Sequence, residues 1–213
     1  MALSGWLSCN LFLRVYLCTQ KGFLGAFVKY VDRYDNVKNM KNSGILVFTI
    51  GHSTRMTRDF LRVLDAYEIG EVIDVRTIPR SRKNPQFNEK RLSANLKRHK
   101  IRYKHMGGLG GLRHALKDSI NTYWHNASFR GFADYMQTDE FKANIDALIK
   151  IAKKRRVALM CAEAVPWRCH RSLIADDLSV NGIKVMHIFS TTNSRQHEIT
   201  KSAKVRKGNI VYK

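Results

Sequence analysis

Ile45-Leu46-Val47-Phe48-Thr49-Ile50-Gly51 is an unbroken apolar and β-branched run closed by glycine. That pattern belongs to a strand buried on both faces, because a half-exposed strand would alternate polar and apolar residues. Downstream, Phe60, Leu61, Val63, Leu64 and Tyr67 recur at helical spacing, with Thr57 as the expected cap and Gly70 as the stop. Glu71-Val72-Ile73-Asp74-Val75-Arg76 then reads as a second strand. Strand, helix and strand at this spacing predict a βαβ unit with a right-handed crossover.

The rest of the chain continues the alternation. Pro79 and Pro85 place a loop after the second strand, and Asn88 is positioned to cap a helix with Leu92 and Leu96 on one face. Ile101 to His105 reads as a short strand and Gly107 to Gly111 as a flexible turn. Residues 112 to 137 admit packed helix or irregular structure. Thr138 caps the clearest helix, with Phe141, Ile145, Leu148, Ile149 and Ala152 on one face and Lys153-Lys154-Arg155-Arg156 at its negative end. Val157 to Cys161, Cys169 to Val180 and Ile183 to Phe189 read as strand, helix and strand. The expected fold is α/β, a single domain with a parallel-rich sheet and helices on both faces.

Thirty-eight basic residues against 17 acidic ones give a net charge of +21, which suits an anionic partner, DNA or RNA among them. Between Arg76 and His105 there are eleven Lys or Arg and one acid, interleaved with Phe87, Tyr103 and amides. That is the composition of a surface that tracks a phosphate backbone. The α/β domain is expected over 41–190, followed by a basic C-terminal tail at 191–213. Residues 1–40 are expected to be an extension of doubtful status, with Met40 as the true start. Their apolar run is too short to span a bilayer and lacks a basic leader, so no membrane and a cytoplasmic location are expected. Cysteines at 9, 18, 161 and 169 form no dense disulfide framework.

Met160-Cys161-Ala162-Glu163-Ala164-Val165-Pro166-Trp167-Arg168-Cys169-His170-Arg171 gathers the chemistry, where a strand hands over to a helix. In open α/β sheets ligands bind at such strand ends. His52 and Ser53 after the first strand, and Arg76 at the second, are expected on the same edge. Cys169 precedes a helix, where the dipole and neighbouring cations lower a thiol pKa. Arg171 and the loop arginines Arg80 and Arg82 supply anion contacts. The cysteine spacing is neither that of a tyrosine-phosphatase loop nor of a thioredoxin motif. Cys161, Cys169 and His170, with His52 as a fourth, have zinc-ligand chemistry, but their spacing matches no zinc signature; no metal or cofactor is expected.

Several motifs together resemble one family. They are Gly51-His52-Ser53, Asp74-Val75-Arg76 with Pro79-Arg80-Ser81-Arg82 and Pro85-Gln86-Phe87, Leu109-Gly110-Gly111, Phe132-Ala133-Asp134-Tyr135-Met136, and Met160-Cys161-Ala162-Glu163 with Cys169-His170-Arg171. Across roughly Ile45 to Ser190 the chain resembles the family catalogued as domain of unknown function 488. The resemblance implies a compact α/β domain and no settled activity. From the residues themselves, Cys161, Glu163, Cys169, His170 and His52 are the expected catalytic groups, and Ser53, Arg76, Arg80, Arg82 and Arg171 the anion-binding ones. The alternatives are a non-catalytic nucleic-acid-binding module, or a thiol or metal sensor.

Overall fold

The computed structural model describes residues 44–206 and 209–213. The expectations on residues 1–40, including the start at Met40 and Cys9 and Cys18, lie outside the described residues. Six strands form one sheet in the order β3-β2-β4-β1-β5-β6. They are β1 (Leu46–Gly51), β2 (Glu71–Asp74), β3 (Arg102–His105), β4 (Val157–Cys161), β5 (Lys184–Ile188) and β6 (Ser194–Gln196). The first five are parallel and β6 closes the edge antiparallel to β5. The first βαβ unit brackets β4: β1 and β2 each pair with β4 rather than with each other.

Side chains of the central strands alternate between two cores, as a pleat requires. Phe48, Ile50, Val72, Ala158 and Met160 meet Phe60 and Leu64 of α1 (Thr57–Ala66) and Leu92 and Leu96 of α2 (Glu89–Arg98). Val47, Ile73, Val157, Leu159 and Val185 meet the opposite layer, built by α3 (Ala127–Tyr135), α4 (Asp139–Ala152) and α5 (Arg171–Val180). This two-sided burial is why β1 and β4 read as continuous apolar runs.

Local signals hold to different degrees. Thr138 caps α4, its hydroxyl accepting from the Phe141 N–H. Thr57 is instead the first helical residue, and Met56 occupies the cap without a side-chain bond. Asn88 sits at the cap of α2, but its Oδ1 accepts from the Ser81 N–H and so fastens the basic loop. Residues 127–135 are helical, capped by Asn126. Within 191–213, β6 joins the main sheet and β7 (Ala203–Arg206) pairs with β8 (Asn209–Tyr212). Tyr212 is fully buried there. Among the described residues no helix is long and apolar enough to cross a membrane.

The sheet order creates the crevice. β1 and β4 are neighbours, yet α1 leaves β1 toward one face while α5 leaves β4 toward the other. Such a reversal opens a cleft at the carboxyl ends of the two strands.

Candidate functional site

At that cleft Cys161 ends β4 opposite Gly51 of β1. The connection from β4 to α5 then folds back over β1: the N–H groups of His52 and Ser53 donate to the carbonyls of Cys161 and Ala162, both at 2.9 Å. A side chain on Gly51 would collide with the Glu163 carbonyl, so glycine is required for this approach. Ser53 takes φ +47°, a left-handed conformation rare outside glycine and common at functional turns.

The fold-back brings two thiols, an imidazole and a guanidinium together. Arg171 is 1% exposed. Its Nε donates to Cys169 Sγ at 3.4 Å, Nη1 to Thr49 Oγ1 at 3.2 Å and Nη2 to the Glu163 carbonyl at 2.6 Å. Among the described residues no carboxylate pairs with it. A buried cation without a counter-charge costs several kcal/mol, on the order of 3–5. Cys169 is the partner able to supply the charge. The Cys161 hydrogen bond, the adjacent His170 and the Arg171 charge hold the Cys169 thiol far below its ordinary range, against the opposing effect of burial. Cys161, which donates to Cys169, is pushed well above that range. These opposite directions favour one proton shared by the pair, held on Cys161, with the negative charge on Cys169.

His170 is fixed from both sides. One ring nitrogen, Nε2, donates to the Val75 carbonyl at 3.0 Å, and Nδ1 lies 3.7 Å from Cys169 Sγ. The ring packs on Phe132 and on Gly111, where a Cβ would lie 2.5 Å from Nδ1. The glycine run expected as a flexible turn thus includes a position that must be small for His170 to seat. The ligand atoms of Cys161, Cys169 and His170 lie within 4.8 Å of one another, a set able to hold a metal ion.

A chain of hydrogen bonds runs from Arg171 away from the thiols. Because Arg171 only donates, Thr49 accepts from it and its hydroxyl donates to His187 Nδ1 at 2.7 Å. His187 Nε2 then donates to His197 Nδ1 at 2.9 Å, and His197 Nε2 to Asp176 at 2.8 Å. Asp176, fully buried, also accepts from the Thr200 N–H and hydroxyl and from the Tyr212 hydroxyl. Burial, helped by His197 and Arg171, lowers the His187 pKa to about 3, so this imidazole is neutral at pH 7. Sequence reading missed Thr49, His187, His197 and Asp176. Thr49 and His187 sit in strands read only for their apolar content, and the other two partners are distant in sequence. The available signal was a hydroxyl and an imidazole inside otherwise apolar runs.

The remaining expected residues fall into two groups. His52 is buried, stacked on Phe87 at 4.2 Å, with Nδ1 2.9 Å from the Ser53 carbonyl and Nε2 3.4 Å from Arg76. Burial, with the Arg76 and Arg171 charges, lowers its pKa to about 4 against the Ser53 bond and Asp74. It lies outside the cluster of metal-capable atoms. Arg76 is clasped by the buried Asp74 carboxylate and donates to the Phe87 carbonyl at 2.8 Å, so its charge is already balanced. Glu163 gives the site its backbone carbonyl, while its side chain is exposed. Ser53 is partly exposed, and Arg80 and Arg82 are exposed on the loop after β2.

Each of the loops after the first four strands carries at least one exposed large apolar residue, and the loop after β3 carries Leu116 as well as Leu112. Met56, Ile78, Leu112 and Trp167 are 60–70% exposed and follow β1, β2, β3 and β4 respectively. Arg168 is exposed beside Trp167.

No curated protein and no solved structure is matched by the chain. Residues 57–178, more than half of the chain, match the family described as domain of unknown function DUF488, spanning the helix after β1 through most of α5 and including both thiols, His170 and Arg171. The chain belongs to the DUF488 family.

Proposed function

We propose that the protein is an enzyme whose Cys169 thiolate acts on an anionic ligand, of nucleotide or nucleic-acid chemistry, in the crevice at the ends of β1, β2 and β4. One observation carries the reading: Arg171 is buried without a carboxylate and lies against Cys169 Sγ. That arrangement is costly beside a neutral thiol and favourable beside a thiolate. His170 Nδ1 is the nearby proton carrier, and the half-buried Cys161 delivers or accepts the shared proton from the solvent side. Arg80, Arg82 and Arg168 supply exposed positive charge at the rim, and Trp167 an exposed ring for stacking. Phosphate and base are the two surfaces such a rim complements.

Site-resolved alkylation of metal-free native protein tests this. Modification at Cys169 at about pH 6, where an ordinary thiol is almost fully protonated, is the expected result. Thiols inert until the protein unfolds would overturn it. One further observation favours a second reading. Lys90, Arg91, Lys97 and Arg98 of α2, with Lys100, Arg102 and Lys104, are all exposed along the β3 edge. As a non-catalytic nucleic-acid surface this edge predicts a log–log salt slope of about −0.7 to −0.9 per phosphate contacted.

A further inference from the structure

We propose that Cys161 Sγ, Cys169 Sγ and His170 Nδ1 form a zinc site whose fourth position opens to the crevice and takes an anionic ligand. The proposal rests on the site read above and stands on its spacing, the three ligand atoms lying within 4.8 Å of one another, since a cysteine gives up its proton as the metal binds. It adds regulation to that site. With both sulfurs committed to zinc, thiol chemistry is confined to the metal-free protein.

The Cys169–His170 spacing is that of two ligands on a tetrahedral ion. Sulfur at about 2.3 Å and nitrogen at about 2.0–2.1 Å from zinc stand about 3.6 Å apart. His170 Nδ1 and Cys169 Sγ are 3.7 Å apart. The other ring nitrogen donates to the Val75 carbonyl, the outer contact that fixes the tautomer of a ligating histidine. Arg171 Nε already donates to Cys169 Sγ and serves as an outer contact to that sulfur. Thiolate and imidazole ligands select zinc over calcium or magnesium, which take oxygen. An iron–sulfur cluster calls for four protein ligands, thiolates or two thiolates with two imidazoles, and this set supplies three.

Loading is a substitution without redox change. The Cys161 S–H bond breaks, its proton leaves to solvent, and the ion takes the proton's place between the sulfurs. A divalent ion for one proton raises the local charge by one while Arg171 stays in place. An anion at the open position, hydroxide or a phosphate or carboxylate oxygen, balances it. Cys161, the ligand that is partly exposed, marks the solvent side.

The test is a Co²⁺ titration of untagged, metal-free full-length protein. Expected are one Co²⁺ per chain, thiolate-to-cobalt charge-transfer absorption with tetrahedral d–d bands, displacement by Zn²⁺, and one proton released. Cys161→Ser or His170→Ala should weaken Co²⁺ binding by about 100-fold or more, and Cys161→Ser should also diminish the charge-transfer band. Circular dichroism checks folding. If Cys169→Ser does not fold, the half-exposed Cys161 and His170→Gln carry the comparison. Absence of charge transfer at stoichiometric Co²⁺, or an unchanged spectrum in Cys161→Ser, overturns the zinc site. Alkylation without metal separates the two readings. Reactive thiols with no cobalt site overturn only this inference, and a cobalt site with inert metal-free thiols overturns only the enzyme reading.

Discussion

Removing Arg171 and Cys169 separately and together measures whether they form a charge pair. Arg171→Met keeps most of the side-chain volume and deletes three donors, to Cys169 Sγ, Thr49 Oγ1 and the Glu163 carbonyl. With the guanidinium 1% exposed, water does not replace those bonds in the fold. Breaking a buried charged pair costs about 3–5 kcal/mol, within the 5–15 kcal/mol typical of a domain, so the variant should fold. Cys169→Ala should cost about 2–3 kcal/mol, since it leaves the guanidinium with two neutral acceptors. If the bond is charge-assisted, the double variant should be less destabilised than the sum of the singles by about 2 kcal/mol. The assay is urea unfolding of the four proteins in chelator at pH near neutrality. A coupling within about 0.5 kcal/mol of zero would refute the charge pair, because independent sites add to that precision.

Three other outcomes follow from the surroundings of the site. His187 should make stability fall with acid. Its folded pKa of about 3 lies below the unfolded 6.5, so between those values the unfolded chain binds the extra proton and stability drops as pH falls. The slope is up to about 1.4 kcal/mol per pH unit, and the wild-type minus His187→Gln difference in urea midpoints between about pH 7 and 5 should show it. Asp176→Asn puts a donor where His197, Thr200 and Tyr212 all donate and should cost about 3 kcal/mol, with lost amide protection in β8; unchanged protection would contradict it. Gly111→Ala places a methyl 2.5 Å from His170 Nδ1 and should cost about 1–3 kcal/mol while weakening cobalt binding, and wild-type cobalt affinity in that variant would contradict the packing.

The parallel layers were legible because burial on both faces writes itself as continuous apolar runs: β1 and β4 needed nothing more. The placing of His52, Arg76, Cys161 and Glu163 on one edge is legible as a consequence of parallel strand ends, although Glu163 gives the site its carbonyl and not its carboxylate. Strand order was not. Nothing in the local sequence states that β4 enters between β1 and β2, and that insertion is what turns the Cys161–Arg171 loop over Gly51. Roles also shifted on contact. Arg76 reads as an anion-binding cation until Asp74, two residues earlier, is seen to clasp it, and Arg171 reads as an anion contact until it is seen to be buried. The Thr49–His187–His197–Asp176 chain could not be read at all. It joins residues up to 138 positions apart, as Thr49 and His187 are, and hydrogen bonds across a sheet leave no periodic trace.

The central claim is that one proton is shared by two thiols and that Cys169 carries the negative charge. Thiolate ultraviolet absorbance, recorded on metal-free wild type and on Cys169→Ser across about pH 5 to 8, reads that charge without requiring reagent access to a buried sulfur. The account predicts one thiolate in the wild type across this range and its loss in the variant. No difference between the two proteins below about pH 8 would contradict it.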